Sequence, residues 1–184
     1  STASCSPQST HASPSRSERR APPEATVSRV QSVPEADERV VEVDGHEVHI
    51  SRPDKVYFPA LGATKSDLVT YYLEIGDHLL NTAGGRPAML QRFPDGATGK
   101  SFYQKRIPAG APEWLQSTIV STPNGTTSNA LVVADIAHVI WAVNFGCLGL
   151  HLWPYRAADP EHADELRIDL DPTKGIGFDE VRAA

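Results

Sequence analysis

Two dipeptides constrain the fold of this chain more than any other feature. Asp44-Gly45 sits inside "VVEVDGHEVHI" and Asn124-Gly125 inside "STIVSTPNGTTSNALVV", both flanked by alternating apolar and polar residues. Asp-Gly and Asn-Gly supply the left-handed backbone that a two-residue hairpin turn demands, so each stretch predicts a pair of antiparallel neighbours. "RPAMLQRF" and "SFYQKR", separated by the turn-forming "PDGATGK", read as two more strands, and "LGLHLWPY" and "ELRIDLDP" as another two. Helical spacing is confined to two places. Thr64 and Asp67 form a capping box with Asp in the Glu position, ahead of Leu68, Tyr71, Tyr72, Ile75 and Leu79. Asp135 is placed to cap a second helix, whose apolar stripe is Ile136, Val139, Ile140 and Val143. Strands and helices interleave without a βαβ repeat. The expected fold class is therefore α/β (α+β), a mixed and largely antiparallel sheet with flanking helices.

Residues 1 to 39 contain nine Ser and five Pro, with five Arg against five acidic residues, and lack hydrophobic periodicity. That composition reads as a disordered tail or linker, leaving residues 40 to 184 as the folded part. Because the tail is neutral on balance, the net charge of −6 falls entirely on the folded part. Such a chain is no polycation coating nucleic acid, although a few well-placed lysines suffice to recognise phosphate. Cys5 and Cys147 are too few for a disulfide framework, which points to a reducing cytoplasm. No charged start and apolar run mark a signal peptide. The most apolar segment, Ala130 to Leu152, contains Asp135, His138, Asn144 and His151; it reads as core, and no membrane is expected as a partner.

"RIDLDP", residues 167 to 172, carries the chemistry. Residues two apart on a strand share a face, about 6.5 to 7 Å from each other. Leu166, Ile168 and Leu170 are then expected to point to the core, and Asp169 and Asp171 away from it, with oxygens converging on one ion. Two carboxylates this close raise each other's pKa unless a cation neutralises them. Oxygen ligands without His or Cys select Mg²⁺ or Mn²⁺ over zinc. Pro172 ends the strand at an edge that a substrate can approach. Such pairs activate an attacking hydroxyl and steady a triphosphate, though the same residues also fit a solvated strand face or a metal-dependent hydrolase. In "GLHLWP", His151 faces away from Leu150 and Leu152. If its strand pairs with "RIDLDP", His151 shares the aspartates' face and reaches phosphate; otherwise it is structural.

Taken in order, "RPDKVYFPALGATKSDLVTYY", "GRPAMLQRFPDG", "SFYQKRIPAGAPEWL", "GLHLWPYR" and "LRIDLDP" resemble the polymerase domain of bacterial ligase D, of the archaeo-eukaryotic primase superfamily. The resemblance runs from about Val40 to the C-terminus. It implies a primase-polymerase-like fold and a nucleotidyltransferase that fills gaps during non-homologous end joining, often with ribonucleotides. It also implies nucleoside triphosphates as substrates, Mn²⁺ or Mg²⁺ as cofactor, and DNA ends bearing a 5′-phosphate as partners. The bacterial Ku end-binding protein and an ATP-dependent DNA ligase, fused or separate, are further implied partners.

Carried over by position, Asp169 and Asp171 match metal-binding catalytic aspartates, and His151 a histidine of the nucleotide pocket. Lys55 and Lys65 match lysines that hold the 5′-phosphate of the downstream strand. A Pro/Gly loop beside a helix N-terminus would offer amides and positive charge for that purpose. Phe102 and Tyr103 match an aromatic pair beside the DNA, alternation implying that at most one faces out; Arg92 and Lys105 match basic contacts. Gln91 stands where ligase-linked members usually have lysine. The family's third metal aspartate and triphosphate grip lie beyond the Asp169–Asp171 strand. The expectation is thus an N-terminal part of the domain, incomplete for catalysis, with a non-catalytic module for 5′-phosphorylated ends as the alternative.

Overall fold

A computed structural model describes residues 37–121, 124–168 and 173–183; Asp169 and Asp171 lie outside these, as do residues 1–36. The chain opens with a hairpin, β1 (Glu38–Val43) and β2 (His46–Ser51), in register from Val43↔His46 to Glu38↔Ser51. Asp44 and Gly45 make its turn with φ of 51° and 77°, as the dipeptide predicts. β1 begins at Glu38, so the last two residues assigned to the tail belong to the sheet. A second, shorter hairpin, β3 (Val56–Phe58) and β4 (Ala63–Thr64), forms within the Pro/Gly-rich stretch that reads as loop.

Thr64 caps α1 (Lys65–Glu74) with both halves of the capping box formed. The helical spacing runs on to Leu79, but the structure breaks at Ile75 and restarts as α2 (Gly76–Ala83). The break lets the chain approach α3 (Ile136–Asn144): a Cβ on Gly76 would meet Ile136 Cγ1 at 2.8 Å. Every residue from Ile136 to Val143 is buried, and α3 packs against β2, α1 and β9 (Cys147–Leu152). Burial all round marks this helix as the centre of the core.

The main sheet is antiparallel and built around β5 (Pro87–Arg92). β9 pairs along one side of it, from Ala88↔Leu152 to Arg92↔Cys147. The other side is shared end to end: β8 (Thr127–Val132) takes Pro87 and Ala88, and β6 (Phe102–Gln104) takes Leu90 to Arg92. β7 (Ser117–Ser121) flanks β8 across the Asn124-Gly125 turn. At the start of α3, Asp135 Oδ1 accepts from His138 N at 3.1 Å and lies 2.6 Å from His138 Nδ1. His138 Nε2 accepts from Gln116 N at 2.9 Å, so the buried ring is the neutral Nδ1–H tautomer. Trp114 stacks on His46 at 4.4 Å and meets His138 edge-on at 5.3 Å, tying the first hairpin to α3.

One expectation fails after β9. Residues 165–168 form no strand, and Leu166 and Ile168 are 86% and 74% exposed instead of core-facing. Charged side chains anchor this stretch in place of apolar ones. Buried Arg86 holds Asp164 and Glu165 at 2.6 Å each, Arg156 holds Asp164 at 2.8 Å, and Arg167 Nη1 donates to Leu152 O at 2.6 Å. α4 (Phe178–Ala183) follows without a buried residue. Among the described residues, no helix is long and apolar enough to cross a membrane.

Candidate nucleic-acid interface

The loop after β2 builds one wall of a cavity. Arg52 has φ of 48°, a left-handed conformation unusual for a residue with a side chain, held by Arg52 N donating to Asp37 O at 2.6 Å. The loop folds back onto α1: Lys65 N donates to Lys55 O and Ser66 N to Pro53 O, both at 2.9 Å, while Asp67 N donates to Thr64 Oγ1. The first-turn amides that sequence reasoning offered to a phosphate are therefore already satisfied. Lys65 itself is buried, and its ammonium donates to Ser51 O, to Asn144 O at 3.1 Å and to Asn144 Oδ1 at 3.2 Å. Burial, and then the charges of Arg52 and Lys55, pull its pKa down to about 8.

In front of Lys65 lies a cavity of about 210 Å³, lined also by Ser51, Arg52, Tyr57, Arg92 and Asn144. Lys55 borders this region, donating to Pro94 O on the cavity wall. Arg92 enters from the end of β5, Nε donating to Phe145 O at 2.7 Å and Nη1 to Gln104 Oε1 at 2.6 Å. Its guanidinium lies between the rings of Phe102 and Phe145, at 5.2 and 5.1 Å from their centroids. Among the described residues, none of Arg52, Lys55, Lys65 and Arg92 forms an ion pair with a carboxylate. Of the residues named from sequence, Lys65 and Arg92 line this cavity and Lys55 borders it. Sequence reasoning missed Arg52, Tyr57 and Asn144, and for Asn144, 79 residues from Lys65, no local signal exists.

Phe102 and Tyr103 depart from expectation in a different way. They alternate, Phe102 opposite Arg92 and Tyr103 opposite Gln91, yet both are exposed, at 46% and 54%. β6 is three residues long and borders the end of β5, so each ring is covered only in part, Phe102 by Arg92 and Tyr103 by His151. Lys105 and Arg106 follow the strand and line, with Thr127 and Ser128, a groove of about 510 Å³. Exposed rings beside unpaired cations suit the stacking of unpaired bases with neutralisation of their phosphates.

His151 lies on the opposite face of β5 from Arg92. It is exposed, with its ring edge-to-face against Tyr103 at 5.2 Å and Nε2 3.3 Å from Gln91 Oε1. The amide oxygen only accepts, so Nε2 carries the hydrogen. Gly149 makes room for this contact, because a Cβ there would come within 2.9 Å of Gln91 Oε1. His151 is thus brought together with Gln91 and Tyr103, and not with Lys55 or Lys65. Among the described residues no three His, Cys, Asp or Glu side chains gather to hold a metal, and the paired aspartates lie outside the described residues. Burial pushes the Cys147 thiol up to about 12, which leaves it neutral and unreactive.

Residues 64–184 match the family described as LigD, primase-polymerase domain. The multifunctional non-homologous end joining protein LigD of Mycolicibacterium smegmatis is 30% identical over 131 residues, which are 70% of this chain and 17% of that protein. The bifunctional non-homologous end joining protein LigD of Bacillus subtilis is 32% identical over 125 residues, 68% of this chain and 20% of that one. In structure, the chain is similar to the polymerase domain of Mycobacterium tuberculosis ligase D in complex with DNA. The TM-score is 0.55 at 30% identity, over 58% of this chain and 37% of that one. The chain therefore spans a fifth or less of the length of these curated relatives.

Proposed function

This chain belongs to the LigD primase-polymerase domain family, and from that premise we propose that it engages broken DNA ends for nucleotidyl transfer in non-homologous end joining. The cavity at Lys65 seats the 5′-phosphate of the downstream strand, and the β6 groove with Phe102, Tyr103 and Lys105 receives unpaired bases. The observation that carries the reading is electrostatic. In a chain of net charge −6, Arg52, Lys65 and Arg92 line one cavity with Lys55 at its border, all without carboxylate partners among the described residues. Unpaired cations are costly to gather unless an anion joins them. The structural relative bound to DNA supports the same reading.

His151 and Gln91 form the face we assign to the incoming nucleoside triphosphate. Asp169 and Asp171 are the residues proposed to hold Mn²⁺ or Mg²⁺, which supplies charge neutralisation at the triphosphate when bound. Ku and an ATP-dependent ligase belong to the same proposal as partners at the break. The test is binding of recessed duplexes that differ only in a 5′-phosphate or a 5′-hydroxyl, followed by fluorescence anisotropy. The phosphorylated end is expected to bind more tightly, and Lys55→Ala to remove part of the difference, of the order of 1.5 to 3 kcal/mol for a charge-assisted contact. Equal affinity for the two ends would sink the assignment.

A further inference from the structure

A phosphate needs hydrogen-bond donors as well as charge, and Lys65 has none left to give. An ammonium carries three N–H donors, and those of Lys65 meet three acceptors, Ser51 O, Asn144 O and Asn144 Oδ1. Arg92 is held through Nε and Nη1 by Phe145 and Gln104, which leaves three of its five N–H groups open. With Lys65 saturated, the wall residues that still carry open donors decide how a phosphate is held.

Two side chains there are unengaged. Tyr57 is 2% exposed and lines the cavity, and its hydroxyl has no hydrogen-bond partner among the described residues. It is not a sealed, orphaned group either, since the one such buried atom among the described residues is Arg39 Nε; the Tyr57 hydroxyl opens onto the cavity. Gly146, at φ of 76°, leaves the room for it: a Cβ there would stand 2.8 Å from Tyr57 Oη. Burial raises the Tyr57 pKa against the pull of Arg52 and Arg92, so the hydroxyl stays protonated and able to donate. The Arg52 guanidinium is exposed, lines the same cavity and makes no hydrogen bond among the described residues, while its left-handed backbone is tied to Asp37. A residue kept in that conformation is over-determined by its surroundings, as at many ligand clamps.

We propose that Arg52 and the Tyr57 hydroxyl donate directly to a terminal phosphate monoester in this cavity, with Lys65 acting from behind as a buried charge. The inference rests on the reading of the cavity as a 5′-phosphate seat. A monoester near neutral pH carries close to two negative charges and three peripheral oxygens, enough for the Arg52 fork and the Tyr57 hydroxyl together. An internal diester brings one charge and two free oxygens, with chain on both sides. Selectivity for a strand terminus follows from this division of labour.

The test uses the 184-residue chain and gapped duplexes bearing a 5′-phosphate or a 5′-hydroxyl, and reads the ratio of the two affinities. Tyr57→Phe removes one oxygen and keeps the ring, so folding is retained; it is expected to lower the ratio roughly ten-fold. Arg52→Gln should lower the ratio at least as far. Inorganic phosphate as competitor should protect the wild type's cavity and lose potency in both variants. A wild-type ratio near one would end the phosphate-seat reading itself. A large wild-type ratio that survives both Tyr57→Phe and Arg52→Gln, but disappears in folded Lys65→Met, would leave that reading standing and overturn this inference alone.

Discussion

Asn144 accepts twice from Lys65, through its backbone oxygen at 3.1 Å and its side-chain oxygen at 3.2 Å, and so joins the last residue of α3 to the first residue of α1. The C-terminal end of a helix is a favourable place for a cation. The same Asn144 Oδ1 also accepts from Ser51 N at 2.9 Å, which brings the end of β2 to the junction. One buried ammonium therefore fixes three elements and supplies charge to the cavity in front of it.

The protonation of Lys65 should be measurable in stability. Its pKa in the folded chain, about 8, lies below the ordinary 10.5 because burial, Arg52 and Lys55 disfavour the charge. Between those two values the folded state holds fewer protons than the unfolded state, so stability rises with pH across that window. Below about pH 8 both states are protonated and the full cost of the buried charge is present. The urea midpoint of the wild type should thus gain, relative to Lys65→Met, between about pH 7.5 and pH 10. A 5′-phosphate offsets the buried charge, so its binding near pH 8.5 should take up protons, seen as buffer-dependent calorimetric heats. Parallel pH profiles for wild type and variant would contradict the assignment.

How much of this was legible in sequence depended on how local each cause was. The Asp44-Gly45 turn, the Thr64–Asp67 box and the Asp135 cap are interactions within a few residues, and each formed as read. The split between α1 and α2 was not legible, because it answers to Ile136, sixty residues on, pressing against Gly76. Lys55 and Lys65 were singled out by resemblance, but the saturation of Lys65 depends on Ser51 and Asn144, which no periodicity connects. Alternation placed Phe102 and Tyr103 on opposite faces correctly, yet implied one buried ring. Coverage of a face is set by which neighbours reach the strand's end, a tertiary property. Leu166 and Ile168 read as core for want of knowing that Arg86 would hold their neighbours by charge.

The Asp135–His138 pair predicts acid sensitivity. Burial alone would raise the Asp135 pKa, but the hydrogen bonds it accepts from the His138 ring and amide, with His46 beyond, hold it below the ordinary value. A lowered carboxyl contributes stability above the ordinary carboxylate range that is lost as pH falls through its folded value. Asp135→Asn keeps a competent cap and should cost about 2 kcal/mol at neutral pH, from the lost charge-assisted bond to His138. That gap should begin to narrow below about pH 4, where the unfolded carboxyl protonates, and close as pH falls through the lowered folded value. Chemical denaturation of both proteins at pH 7 and at about pH 3.5 checks it. A constant difference would mean that Asp135 acts by packing alone.

Arg86 should govern the order of the chain that leads toward Asp169. Its side chain is 3% exposed, donates through Nε to Thr82 O at 2.9 Å, and grips Asp164 and Glu165 at 2.6 Å each. Replacing it with Met keeps the bulk and removes the fork, leaving Leu166 and Ile168 with no apolar surface to hold them. Amide hydrogen exchange over residues 156–168 should then rise at least ten-fold, while α3 stays protected. Unchanged exchange in that segment would show that Arg156 and Arg167 suffice to anchor it.

The last prediction concerns His151. Its Nε2–H points to Gln91 Oε1 at 3.3 Å, while the Gln91 amide lies 3.5 Å from Ser101 Oγ and the ring edge rests on Tyr103. The tautomer is therefore set by Gln91, which occupies the position where ligase-linked relatives were expected to carry lysine. An ammonium in that place has only donors. Gln91→Lys should reverse the hydrogen bond, so that Nε2 accepts and the proton moves to Nδ1. Long-range ¹H–¹⁵N correlation spectra of the imidazole separate the two tautomers directly. Gln91→Ala should instead leave a mixture of tautomers, and Gln91→Glu, which keeps an accepting oxygen, should retain the wild-type form. A His151 spectrum unaltered by Gln91→Lys would show that Tyr103 packing, and not Gln91, orients the ring.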